Sequence, residues 1–136
     1  RYDAAYGKTY LLFSSSEHLA LDNTPEAGIS EIVYYLYETR EGALVLKRSD
    51  RLFRDTLSRN PENDPVVCES VAALEFTFYD RKGNEFGSWD SDSEEFGYAT
   101  PAAVGVFLKL DGKAGQHSFK TMVALPVKRE TGNKQI

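Results

Sequence analysis

Apolar residues recur at every second position in several parts of the chain, which is the pattern of a strand with one buried face. The clearest run consists of Val104, Val106, Leu108 and Leu110, in a strand that starts at Pro101. A second run lies in His117 to Val127 and ends near a proline. Because Asp111 to Gly115 between them is rich in turn-forming residues, the two runs predict a β-hairpin.

The stretch from Val71 to Trp89 predicts another hairpin with an aromatic core. Its first half places Leu74, Phe76 and Phe78 on one face. Asp80 to Asn84 supplies turn residues, including a glycine that tolerates positive φ. Glu85 to Trp89 is the predicted return strand, closed by the only tryptophan of the chain.

The first half of the sequence predicts three more strands, separated by loops that contain proline and glycine. These strands are Tyr10 to Phe13, Ile29 to Thr39 and Ala43 to Asp50, and the main loops are Asp22 to Gly28 and Ser58 to Pro65. The strand at Ile29 to Thr39 is apolar or aromatic on both sides. We therefore expect it to be central, with a helix or a second sheet over one face.

The pattern as a whole predicts a mainly β fold of about seven strands in antiparallel sheets, as one globular domain over residues 1–136. Residues 1–9 are a polar lead-in, and residues 128–136 form a polar tail that we expect to be disordered. The chain opens at Arg1 without a methionine. We therefore expect that a targeting or anchoring segment has been removed.

Charge and composition exclude some partners. The formal net charge is −5 and the isoelectric point is near 5.1, whereas nucleic-acid binding requires a basic face. Docking on an anionic membrane is disfavoured for the same reason. No run of roughly 20 apolar residues, the length that crosses a bilayer, occurs in the sequence.

Residues with metal-binding or nucleophilic chemistry are few and scattered. The histidines His18 and His117 lie far from each other in sequence, and Cys68 is the only cysteine. A zinc site needs three or four ligands at short spacings, so we expect none, and we expect Cys68 to be a buried structural thiol. Neither a nucleophile elbow nor a phosphate-binding loop occurs, and we expect no catalytic residue and no cofactor.

The acidic stretch Asp90 to Glu95 is the nearest approach to a metal motif. Asp90, Asp92 and Glu94 are spaced like the first ligands of a calcium loop. The sixth position is then Glu95 instead of glycine, and the twelfth is Pro101 instead of glutamate. A solvated loop is the favoured interpretation, and calcium binding stays open.

A set of aromatic residues could line a ligand groove, although core and cross-strand pairs are the favoured interpretation. Exposed members would point to a protein–protein contact. The set is Tyr34, Tyr35, Tyr37, Phe76, Phe78, Tyr79, Phe86 and Trp89.

The order of the apolar pieces resembles a known family. The pieces are YLLFSSS at Tyr10 to Ser16, IVYYL at Ile32 to Leu36, LVLKR at Leu44 to Arg48, VAALEFTFYD at Val71 to Asp80, PAAVGVFLKL at Pro101 to Leu110 and FKTMVALP at Phe119 to Pro126. Together with Trp89 they resemble the globular domain of a minor pseudopilin of type II secretion, of the general secretion pathway protein J family. The resemblance covers most of residues 10–127.

This resemblance implies a subunit anchored in the inner membrane with its globular head in the periplasm. The full-length protein would be α+β, because the family's N-terminal helix, absent from this chain, would span the membrane. The implied partners are other minor pseudopilins, of the I, K and H types, in the tip complex of the pseudopilus. Such a subunit acts by binding and is not an enzyme.

Three alternatives stay open at this stage. The first is a minor pilin of a type IV pilus. The second is a soluble β-domain that binds a small ligand or a glycan in an aromatic groove. The third is a hydrolase whose two carboxylates come together only in space.

Overall fold

The computed structural model describes residues 6–15, 29–52 and 60–125, and its fold is mainly β. These residues divide into two compact units, one ending at Val71 and the other beginning at Ala72. Each unit carries one four-stranded sheet. The described part of the chain therefore has eight strands, against about seven expected from the sequence.

The sheet of the first unit has the strand order β1-β2-β3-β4, and all its pairs are antiparallel. Its strands are β1 (Tyr10–Ser15), β2 (Ser30–Glu38), β3 (Leu44–Leu52) and β4 (Val66–Cys68). The first three confirm the strands predicted there. Strand β4 was not predicted, because it has only three residues and follows a proline-containing loop.

The hairpin of β2 and β3 confirms the predicted tight connection at Glu41-Gly42. Nine residue pairs follow one another from Glu38 opposite Leu44 to Ser30 opposite Leu52. At the turn, the Thr39 N–H donates to the Ala43 carbonyl at 2.8 Å. Gly42 has a φ of 82°, a value that a residue with a Cβ adopts only at a cost.

Strand β2 is buried on both faces, as its sequence predicts. Ile32 and Val33 are neighbours in the strand and so point to opposite faces, yet both are buried. On one face, Val33 and Tyr35 form a cluster with Tyr6, whose ring centroid lies 5.2 Å from that of Tyr35. Tyr6, which precedes β1 in the chain, therefore covers part of this face.

A short 3₁₀ turn, Pro61–Asn63, lies within the predicted loop Ser58 to Pro65 and is fastened to the sheet. The Lys47 ammonium donates to the Pro61 carbonyl at 2.8 Å and lies 4.0 Å from the centroid of the Tyr37 ring. Lys47 is only 5% exposed, so these contacts compensate a charge removed from water.

The sheet of the second unit has the strand order β6-β5-β7-β8. Its strands are β5 (Val71–Tyr79), β6 (Glu85–Phe86), β7 (Ala103–Gly112) and β8 (Gly115–Ala124). The turn between β5 and β6 is organised by Asp80, whose side chain accepts hydrogen bonds from the backbone N–H groups of Lys82 and Asn84, both at 2.9 Å.

The predicted return strand Glu85 to Trp89 is wrong in its extent, because β6 ends at Phe86. Trp89 instead packs in an aromatic cluster outside the ladder. Its ring stacks on Phe96 with centroids 4.4 Å apart, and Phe86 meets both rings edge-on. The indole N–H donates to the Ala99 carbonyl at 2.9 Å, so the tryptophan ties the chain after β6 into one compact loop.

The hairpin of β7 and β8 is tighter than predicted. Asp111, Gly112 and Gly115 belong to the ladder, so the five-residue loop is wrong and only Lys113 and Ala114 form the turn. Ten residue pairs follow without interruption from Gly112 opposite Gly115 to Ala103 opposite Ala124. The alternation that predicts both strands is therefore confirmed, with β8 starting two residues earlier than expected.

Several predictions fall outside the described residues. These are the start of the lead-in, the loop Asp22 to Gly28, His18 and the tail 128–136. The single domain over residues 1–136 stays a prediction. In the described ranges, no helix has the length and apolar character needed to span a bilayer.

Candidate interaction surface on the second sheet

One face of the β7–β8 hairpin is apolar. Residues directly opposite each other in an antiparallel pair point to the same face of the sheet. Leu108 lies opposite Phe119, and Val104 lies opposite Val123. With Thr121 between them, the side chains of Phe119 and Val123 form a row along β8, and we call these three residues the β8 strip.

The β8 strip is open to solvent. Val104 on β7 is buried and Leu108 is half-buried, but Phe119 is 56% exposed and Val123 is 52% exposed. All ten residues of β8 are exposed. Burial of apolar surface stabilises an association by about 25 cal/mol for each Å² removed from water, so a row of this kind favours contact with a partner.

The opposite face of the same sheet carries a shallow depression of about 210 Å³. Gly105 lines it and lies opposite Met122, and Lys120 lies opposite Phe107. Its lining residues include Thr77, Tyr79, Gly105, Phe107, Lys120 and Met122. Pockets for drug-sized ligands usually measure roughly 300–1,000 Å³, so this depression is small for a ligand site.

The predicted aromatic set is divided between the two units. Tyr35 is buried in the core of the first unit, where its hydroxyl donates to Asp64 Oδ2 at 2.5 Å. Tyr34 accepts a hydrogen bond from Arg48 Nε at 3.2 Å and stacks on Phe13. Tyr37 also lies in the first unit, where its ring contacts the Lys47 ammonium. The other five members lie in the second unit: Phe76, Phe78, Tyr79, Phe86 and Trp89. For Tyr35 and Trp89 the interpretation as packing residues is confirmed.

Two groups among the described residues have a shifted pKa, and both shifts have structural explanations. Burial, with the hydrogen bond to Asp64 and the charge of Asp64, raises the pKa of Tyr35 well above its ordinary value. A hydrogen bond from the Asn84 side chain lowers the pKa of Asp80 in the β5–β6 turn. Each group holds a turn or loop against its sheet, and these shifts give no support for acid–base chemistry.

The acidic stretch Asp90 to Glu95 folds as a pair of short turns. Asp90 Oδ1 accepts a hydrogen bond from the Asp92 N–H at 2.9 Å. Ser93 caps a 3₁₀ turn at Glu94–Phe96 by accepting from the Glu95 N–H at 3.1 Å. Among the described residues, no three His, Cys, Asp or Glu side chains are grouped as a metal site would require.

The remaining chemistry-bearing residues lie apart. His117 is exposed on β8, in the second unit. Cys68, which the sequence predicts to be buried, is half-buried instead, because β4 lies at the edge of the first sheet. Its thiol lies 3.7 Å from the Glu69 carbonyl oxygen.

The exposure of the β8 strip is not evident from the sequence. The alternation of Phe119, Thr121 and Val123 is the same pattern that a buried strand shows. The only available signal was on the other face, where Gln116, Ser118 and Lys120 are polar. That signal indicates one solvated face, but it does not reveal that, within residues 6–15, 29–52 and 60–125, β8 pairs with β7 alone.

Comparison with known proteins gives no identification: no model of a protein family matches the chain, and none of the curated proteins matches its sequence.

Proposed function

We propose that the chain is the periplasmic head of a minor pseudopilin of type II secretion and that it works by binding other pseudopilins. Each of the six quoted pieces of sequence that carry the resemblance contributes a strand to one of the two antiparallel sheets. The order of strands along the chain therefore agrees with the proposal. Membership of the family is itself proposed.

The β8 strip is the observation that carries the proposal. An exposed Phe119 and an exposed Val123, backed by the half-buried Leu108, form the kind of apolar anchor that protein–protein interfaces bury at their centre. Polar Gln116, Ser118 and Lys120 alternate with them along the strand. The head therefore offers a contact surface, in agreement with a role in assembly.

The sequence predicts that a helix or a second sheet covers one face of β2. Both faces of β2 are buried at Ile32 and Val33, so the exposed apolar surface lies elsewhere. It is on β8 of the second unit. In this proposal, the β8 strip packs against a neighbouring subunit of the pseudopilus tip.

The alternatives receive less support from the described residues. The depression over Gly105 is small for a ligand pocket, which disfavours a small-ligand or glycan site there. A minor pilin of a type IV pilus would use the same kind of surface and differs from the proposal in the machinery that it serves.

Two experiments test the proposal. The coding sequence ahead of Arg1 should encode about 20 apolar residues preceded by a short basic leader. Deletion of the gene should leave type II cargo in the periplasm, and the full-length gene should restore its export. Normal export in the deletion strain together with loss of pili would instead assign the chain to a type IV pilus.

A further inference from the structure

Strand β8 is the longest of the strands that end the two sheets. The others, β1, β4 and β6, have six, three and two residues, whereas β8 has ten. Proteins protect the edges of sheets with short strands, prolines and bulges. β8 contains no proline, and its ten pairs with β7 follow one another without a bulge.

One hydrogen bond fixes the direction of the backbone groups along β8. The Leu125 N–H donates to the Ala102 carbonyl at 3.0 Å, so this N–H points toward β7. Backbone groups alternate in direction along a strand. The N–H groups that point away from β7 therefore belong to Gln116, Ser118, Lys120, Met122 and Ala124. In the described parts of the chain, β8 pairs with β7 alone, so these groups form an open edge.

The side chains of those five residues share the face that holds the depression. Lys120 lies opposite Phe107, and Met122 lies opposite Gly105. A strand added to this edge would place one of its side chains beside Lys120 on that face. Its alternate side chains would extend the β8 strip on the other face, next to Phe119 and Val123.

The charge of the β7–β8 hairpin indicates which charge an added strand should carry. Residues 103–124 contain Lys109, Lys113, Lys120 and one acid, Asp111, for a net charge of +2 in a chain of −5. Lys120 is the only lysine, arginine or acid in β8 itself. An acidic side chain opposite Lys120 would form a favourable cross-strand pair, whereas a basic one would be repelled.

We propose that the open edge of β8 takes up an extended segment of a partner protein as an additional strand. The segment has an acidic residue beside Lys120 and apolar residues on the side of the β8 strip. Backbone hydrogen bonds supply affinity in this mode of recognition, and the alternate side chains supply specificity. The edge is a property of the second sheet and does not depend on whether the chain is a pseudopilin.

A pair of synthetic peptides tests this directly. Each is a blocked nine-residue peptide of alternating Thr and Val, with Glu at the centre of one and Lys at the centre of the other. Titration calorimetry should show that the Glu peptide binds the chain about tenfold more tightly than the Lys peptide, since the central residue exchanges a favourable charge pair for a repulsive one.

Three variants separate backbone pairing from general charge attraction. Because the Ser118 N–H points away from β7, Ser118→Pro leaves the β7–β8 ladder intact and should abolish binding. Lys120→Glu should reverse the preference between the two peptides. Lys113→Glu makes the same change of charge in the turn. It should alter the affinity for the Glu peptide by less than about twofold, since the charged residue of the peptide lies beside Lys120 and not beside the turn.

A Glu peptide methylated on alternate backbone nitrogens should fail to bind the unchanged protein, which tests the edge even if Ser118→Pro does not fold. Undiminished binding of that peptide would overturn the proposal. So would no binding of the parent Glu peptide, or equal weakening by Lys113→Glu and Lys120→Glu. A dimer of the chain that sedimentation detects and Ser118→Pro abolishes would assign the edge to a second copy, which also overturns it.

Discussion

The ring of Tyr79 on β5 lies across Gly105 on β7. A Cβ placed at Gly105 would lie 3.2 Å from Tyr79 Cε2 and 3.4 Å from the Tyr79 hydroxyl. The absence of a side chain at Gly105 thus lets an aromatic ring cross to the neighbouring strand. An aromatic–glycine pair of this kind compensates for the packing that a glycine cannot supply in a strand.

Replacing Gly105 by valine should therefore destabilise the second sheet, although valine is favoured in strands. The branched side chain would displace the Tyr79 ring, at a cost of roughly 1–3 kcal/mol in the free energy of unfolding. Urea denaturation measures this cost. In a Tyr79→Ser background the cost of Gly105→Val should be smaller by about 1 kcal/mol, since the two residues are in contact. An equal cost in both backgrounds would show that the ring is not the obstacle.

The buried Tyr35 predicts a loss of stability at alkaline pH. Its folded-state pKa is raised, so the folded state keeps the phenol proton at pH values where the unfolded state, with a tyrosine pKa of about 10, loses it. The free energy of unfolding should fall as the pH rises above about 10, and the full contribution should be present below that pH. Tyr35→Phe should flatten this fall, as measured by urea denaturation at a series of pH values.

Asp64→Asn provides an intermediate case for the same experiment. It removes the charge that helps to raise the pKa of Tyr35 but leaves the burial, which is the larger cause. The fall in stability above pH 10 should therefore be reduced but not removed. If the free energy of unfolding of Tyr35→Phe falls with pH as steeply as that of the unchanged protein, Tyr35 is not the source of the fall.

The cluster around the only tryptophan gives a spectroscopic test. Trp89 stacks on Phe96 and is half-buried, so Phe96→Ala should shift its fluorescence to longer wavelength by opening the ring to water. The loss of the stacked ring should also lower the free energy of unfolding by roughly 1–3 kcal/mol. Phe13→Ala, which removes a phenylalanine from the first unit, is the control and should leave the emission maximum unchanged.

Alternation in the sequence was enough to predict most of the strands. β2, β3 and β7 lie within two residues of their predicted bounds, because each has several apolar residues at a spacing of two. β4 was missed because Val66 to Cys68 is too short to show any period. The return strand was predicted to reach Trp89, but Gly87 and Ser88 intervene and the tryptophan packs on Phe96 instead.

The candidate surface could not be predicted from the same information. Phe119 and Val123 alternate as core residues do, and only the order of strands in the sheet shows that β8 lies at an edge. Whether an apolar side chain is covered depends on residues distant in sequence, and a period-two pattern carries no information about them. The burial of both faces of β2 was predictable, because Ile32 and Val33 leave no polar face on that strand.

Two matched valines test the proposed binding of the β8 strip to other minor pseudopilins. Val123 lies in the strip and is 52% exposed, while Val67 in β4 is 53% exposed and lies in the first unit. Aspartate at either position should leave the fold intact, since both side chains already contact water.

The most direct measurement is the affinity of the chain, by biolayer interferometry, for the heads of the I-, K- and H-type minor pseudopilins of the same organism. Val123→Asp should weaken binding to at least one of them by about tenfold or more, as expected for a charge placed in an apolar contact, whereas Val67→Asp should have little effect. Unchanged binding by Val123→Asp, or no binding of any pseudopilin head by the unchanged chain, would show that the β8 strip does not have this role.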